Sequence, residues 1–161
     1  MPSRTLGVAA LTVAALSLGL SFAHLAEAPP RLFAWTPELW RDATVFGGQY
    51  TVFAPLGAVL DSSAVLLAGI LAWLAQGDRV RFRPALAGCL FYAAALATWF
   101  VWVAPANADL AAWVPGALPD DFFDTRDRWE SGHAAIACIK LAGFVALAWG
   151  VAATGRPDAS G

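Results

Sequence analysis

Two short patterns of the same residue types stand out in the chain: His24 with Glu27, and Glu130 with His133. Each pair is three residues apart, a spacing that puts both side chains on one face of a helix. Their order is reversed, so two antiparallel helices would set the pairs at one height. Glu-x-x-His is how bundle helices present ligands to carboxylate-bridged dimetal centres. Such centres want two further carboxylates at that level, and the other helices offer only Gln49 and Asn107. A single metal ion held by His24, His133 and the carboxylate of Glu27 or Glu130 is one alternative, and haem held between two facing imidazoles is another. The leading expectation needs neither and is a polar site without a metal; the plainest alternative is structural, each histidine satisfying a helix end or a tryptophan-lined pocket.

Other polar residues join these. Glu130, His133 and Lys140 are spaced by three and seven residues and form one stripe that Ala137 and Phe144 continue. Lys140 sits about 10–15 Å below the start of its helix at a rise of about 1.5 Å per residue. Asp61 lies at a matching depth, so the two are expected to pair, more as a structural ion pair than as a proton relay. Arg128 is expected to clamp Glu27 through a bidentate contact. Asp127 or Ser131 is expected to cap the helix that follows. Asn107, after Pro105, suits a cap or turn, or a hydrogen bond into a shared pocket.

The elements that must position these residues follow from composition. Of 161 residues, 59% are hydrophobic and 14% charged, with mean hydropathy +0.61, whereas soluble domains carry about 25% charged residues. Ten basic against twelve acidic residues leave no footprint for nucleic acid. A helix needs about 20 apolar residues to cross a bilayer. Four stretches qualify, at about 6–26, 50–75, 84–104 and 131–153, and residues 154–161 read as a flexible tail. Alternation with period two is absent, so a transmembrane barrel fits poorly. The expected fold is all-α, a single integral-membrane four-helix bundle whose first partner is the lipid bilayer. The first stretch has a rival reading as a signal peptide ending at Ala26-Glu27-Ala28. Its apolar run exceeds the usual 7–15 residues, which favours a span.

Arg79, Arg81 and Arg83 crowd one short connection, with Arg4 and Arg156 at the termini. The positive-inside rule then puts both termini in the cytoplasm, as for a multi-pass protein of a bacterial inner membrane. Nine of the twelve acids fall in residues 25–51 and 105–130, on the other side. Trp35, Trp40, Trp113 and Trp129 flank helix ends there in the manner of an aromatic belt. The segment from Pro105 to Asp127, with Pro115, Gly116 and Pro119, has room only for short helical pieces. Cys89 and Cys138 fall at different depths and read as buried, inert thiols. Four spans without an inverted repeat do not make a self-sufficient transporter. A channel would require a homo-oligomer, which the sequence leaves open.

Several of these pieces carry a resemblance: Ala23-His24-Leu25-Ala26-Glu27-Ala28-Pro29-Pro30-Arg31-Leu32, Ala104-Pro105-Ala106-Asn107, Trp113, and Arg126-Asp127-Arg128-Trp129-Glu130-Ser131-Gly132-His133. Together they resemble a family of small four-span membrane proteins, largely of unknown function, that includes the fungal anthrone oxygenases. The resemblance covers nearly the whole hydropathy layout. It implies oxidation of an electron-rich tricyclic phenol by O₂ without a dedicated cofactor, on a lipophilic aromatic or quinone-like small molecule. His133 and Glu130 would then act as base and tuner. Arg128, Asn107, Trp113, Trp129, His24 and Glu27 would line the substrate, with Trp99, Trp102 and Phe122 or Phe123 as further stacking surface. The rival classes are a metal- or haem-binding redox protein and a non-enzymatic binding or accessory protein.

Overall fold

The structure, a computed structural model, describes residues 4–153, without the side chains of residues 49–51. The expected tail at 154–161 lies outside the described residues. Four long helical columns, each long and apolar enough to cross a membrane, make up the chain. The first is α1 (Arg4–Phe33). A short α2 (Pro37–Arg41) and a π-turn (Asp42–Phe46) lead to α3 (Gln49–Leu74). The third column is α4 (Arg79–Thr98), a second π-turn (Trp99–Val103) and α5 (Ala104–Ala112), and the fourth is α6 (Phe122–Ala152). Each column packs on two neighbours in the cyclic order α1, α3, α4, α6, and the described residues contain no strand. The all-α four-helix bundle is therefore the fold.

Three helices are longer than the apolar runs alone suggest. α1 continues through Pro29 and Pro30. A proline removes the N–H that bonds four residues back, but here few further bonds depend on the helix, which stops at Phe33. The third column continues past Val103 because Pro105 occupies the first turn of α5, where a missing N–H costs nothing. α6 starts at Phe122, nine residues before the expected boundary, so neither Asp127 nor Ser131 caps it. The Ser131 hydroxyl instead donates to the Asp127 carbonyl within the helix, at 2.6 Å. Charged residues that cannot cross lipid are accommodated in these extensions.

At the end near Arg79 the core is built of small residues, including Ala10, Ala14, Ala64, Ala68 and Ala85, closed by Tyr92 and Leu147. Helices in lipid associate by close packing over such residues. A Cβ on Gly143 would meet Phe91 Cβ at 2.9 Å, and one on Gly88 would meet Leu147 Cβ at 3.1 Å. α4 and α6 are thus drawn together by glycine. The Tyr92 hydroxyl donates to the Ala14 carbonyl at 2.8 Å, tying α4 to α1 across the bundle. α1, for which a cleaved signal was the rival reading, is thereby built into the core.

The opposite end has a different core, made of Trp40, Val103, Ala106, Leu110, Phe122 and Trp129. The tryptophans there do not form a lipid-facing belt: Trp40 is fully buried and Trp129 is 5% exposed. Trp40 meets Trp113, Phe122 and Trp129 edge-on at 5.7–6.5 Å. Edge-to-face geometry is the favoured contact between aromatic quadrupoles. The interhelical segment is strapped over this layer by Arg41, which is buried and donates to the Gly116 carbonyl at 2.7 Å. Of the two thiols, Cys89 is half-buried and Cys138 exposed, and both are free; the expectation of two buried cysteines fails for Cys138, which faces away from the bundle.

Candidate functional site

Arg31 organises the end of the bundle that carries the histidines. Its extended position on α1 lets the guanidinium reach α6, where Nε and Nη2 donate to the two oxygens of Glu130, both at 2.9 Å. Nη1 donates to Glu27 at 3.0 Å, and Nη2 also to the His24 carbonyl at 2.8 Å. The Trp40 indole N–H adds a third bond to Glu130, 2.8 Å long. Arg31 and Glu130 are 3% and 4% exposed, so this is a buried, fully satisfied charge pair. It joins α1, α2 and α6.

This arrangement corrects two expectations. Glu27 is held by Arg31, its i,i+4 neighbour, and not by Arg128. Arg128 points instead to Asp109 on α5. Arg128 therefore does not line the pocket, and its buried Nε has no hydrogen-bond partner. Glu130 makes no hydrogen bond to His133, because both its oxygens are occupied by Arg31 and Trp40. It holds the helices in place, and the expected contact with His133 is not made.

What the bundle does bring together is the pair of histidines. The imidazoles of His24 and His133 stack with centroids 4.4 Å apart and planes inclined by 28°. Trp129 packs edge-on against His133 at 4.4 Å, and Phe53 lies 5.3 Å from His24. The Trp129 indole is itself held by Asn107, whose side-chain oxygen accepts its N–H at 2.8 Å. Asn107 thus sits inside α5 as an acceptor and not as a cap. Among the described residues, no three His, Cys, Asp or Glu side chains converge as metal ligands, since Glu27 and Glu130 turn toward Arg31. Imidazoles in stacked contact leave no slot for a porphyrin between them.

Both histidines face a cavity of about 240 Å³, which also touches Phe53, Trp99, Phe100 and Trp129. The Nδ1 of His24 is buried without a hydrogen-bond partner. Buried polar atoms of proteins are nearly always paired, so this one marks a place where a ligand atom would be stabilised. Trp113, Phe122 and Phe123 do not reach the cavity; the first two stack on each other at 5.5 Å in the layer above it. Trp102 is exposed and packs on Gly132.

The far wall of the same cavity holds Asp61 and Lys140. They meet at 2.7 Å, the pairing their depth suggested. Sequence reasoning did not supply the two serines that complete the group. Ser17 donates to Asp61 at 2.6 Å and Ser21 accepts from the Lys140 ammonium at 2.9 Å. An ion pair in the middle of a span is retained only where protein groups surround it. Its opening onto the cavity gives this space a polar group at each end, with aromatic walls between.

Sequence reasoning also missed Arg31, Trp40 and Phe53. Arg31 had a usable signal in its i,i+4 spacing from Glu27. Trp40 and Phe53 had none, since their roles depend on how α2 and α3 fold back. Comparisons with protein-family models, with curated proteins and with solved structures found no match.

Proposed function

We propose that the chain is a multi-pass membrane oxygenase that oxidises a lipophilic phenol, or its keto tautomer, in the cavity between the histidine pair and the Asp61–Lys140 pair. The observation that carries the reading is the stacked His24–His133 pair opening onto an aromatic-walled cavity within the spans. A cavity of ~150 Å³ suffices for benzene, so this one, at about 240 Å³, holds two fused rings and leaves the third ring of a tricycle such as anthrone in its opening. The resemblance to the anthrone oxygenase family, carried by Asn107, Trp113, Arg128, Trp129, Glu130 and His133, supports the same chemistry. In orientation, the arginine-rich connection would face the cytoplasm.

The chemistry asks little of the protein beyond a base and a dry pocket. His133 takes a proton from the ring carbon next to the conjugated carbonyl system, leaving a delocalised carbanion. That carbanion passes an electron to O₂, and recombination forms a carbon–oxygen bond as a hydroperoxide after the proton returns from the imidazolium. Loss of the second proton from the same carbon with cleavage of the O–O bond leaves a ketone and water. The methylene is oxidised by four electrons, and O₂ supplies one oxygen to the product and one to water. His24, stacked on His133, orients it, and Trp129 and Phe53 fix both rings.

The test is O₂ uptake by the purified protein in lipid nanodiscs with anthrone as probe, corrected for spontaneous oxidation. One O₂ consumed per ketone formed is expected. His133→Ala should lower the rate about 100-fold, the lower range for loss of a general base, while Glu130→Gln should lower stability more than rate. An unchanged rate in His133→Ala refutes the mechanism.

A further inference from the structure

The cavity opens sideways, between α3 and the Trp99–Val103 π-turn. Phe53 and Asp61 line it from α3 on the inner side, and the rest of the α3 wall is made of small residues, Ala54, Gly57, Ala58 and Ser62. Ala54, Ala58 and Ser62 are exposed on the outside of the bundle while also lining the cavity. Across from them Phe100 does the same and is 62% exposed. Residues that are both lining and surface define a mouth. All of them lie within columns long and apolar enough to cross a membrane, so the mouth faces acyl chains and not water. On the loop side the cavity meets the Trp40, Trp113, Phe122 and Trp129 layer, strapped down by Arg41, and the buried Thr44.

The π-turn explains why a gap stands here. An i→i+5 turn inserts an extra residue into a helix and commonly marks a functional site. Here it follows Thr98 and carries Trp99 and Phe100, so the aromatic rings of this column project beside a strip of α3 that has no large side chain to fill the space.

We infer that the site takes a ring carried on an aliphatic tail, with the ring between the histidine pair and Lys140 and the tail passing through this mouth into the bilayer. The inference rests on the reading of the cavity as the site of a ring substrate, and names its class as a tailed phenol or quinone of the lipid phase. The ring fits the enclosed volume, and a polar group stands at each end of it. Seven residues separate His133 from Lys140 on α6, about 10 Å of helix rise, a span suited to a ring with oxygens on opposite sides. A tail is the part of such a molecule that needs an apolar exit at this depth.

The experiment is equilibrium binding without O₂, read by tryptophan quenching in nanodiscs, of two benzoquinones that differ only in a methyl or a decyl substituent. Concentrations are expressed as mole fraction in the bilayer, which removes partitioning. Ala58→Phe and Ser62→Phe, each filling the mouth from an exposed position, should weaken the decyl compound at least tenfold and the methyl compound less than threefold. Val59→Phe, also exposed on α3 but away from the cavity, should change neither. Equal effects on both compounds, no effect on either, or failure of both to bind overturns the inference. Discrimination by tail in a protein that consumes no O₂ with any ring substrate would uphold the tailed ligand and refute the oxidation.

Discussion

Replacing Arg31 by leucine removes both halves of a bidentate contact and leaves Glu130, 4% exposed, as a charge among aromatic rings. Removing one partner of a buried pair costs about 3–5 kcal/mol, because the remaining ion keeps its desolvation penalty. The Trp40 indole still donates to Glu130 at 2.8 Å in the native arrangement, which holds the loss toward the lower end. At about 2–4 °C per kcal/mol for a chain of this size, the midpoint of thermal unfolding should fall by roughly 6–15 °C. The double variant Arg31→Leu/Glu130→Gln removes the stranded charge yet keeps an oxygen to accept the Trp40 N–H. It should therefore recover about 2 kcal/mol, since the desolvated charge and not the lost contact dominates the cost. The assay is near-ultraviolet circular dichroism against temperature in detergent, which follows the Trp40, Trp113 and Trp129 packing. A double variant no more stable than the single one would refute this account of Glu130, as would a single variant with an unchanged midpoint.

Two further perturbations test separate parts of the site. Asp61→Asn and Lys140→Met should show a coupling of about 0.5–3 kcal/mol in a double-mutant cycle, read from denaturant unfolding; additivity would mean that the contact at 2.7 Å carries no interaction energy. Asn107→Ala removes the acceptor of the Trp129 indole, a loss of about 1–3 kcal/mol with the N–H left unpaired, and should weaken ring binding by freeing Trp129. Asn107→Asp keeps an acceptor and should retain binding, so equal losses in the two variants would contradict the role given to this bond.

The bundle and its spans were legible because bilayer thickness imposes a long apolar run on every crossing helix, and the four runs from Leu6 to Ala153 meet that demand. The ends of the helices were not, since the apolar runs end before Pro29-Pro30 and Pro105 whereas the helices continue through prolines placed where a missing N–H costs little. The pairing of Asp61 with Lys140 followed from depth alone, as lipid gives two isolated charges few other partners. The histidine pair was also visible, because the reversed His-x-x-Glu and Glu-x-x-His spacings place both rings at one height. Their carboxylates were misjudged for a local reason. Spacing shows that Glu27 and Glu130 share a face with the histidines, but not that Arg31 four residues beyond Glu27 would draw both away. The cavity mouth had no sequence signal, because it arises from a π-turn opposite small residues on another helix.

The central claim is that His133 removes a proton from a carbon-bound position of a ring in the cavity. The most direct measurement is deuterium incorporation from heavy water into the methylene of anthrone under strict exclusion of O₂, followed by mass spectrometry in nanodiscs. Without O₂ the carbanion can only be reprotonated, so exchange reports the base alone. Protein-dependent exchange is expected, falling about 100-fold in His133→Ala and persisting in Val59→Phe. Exchange no faster than in empty nanodiscs, or undiminished in His133→Ala, would contradict it.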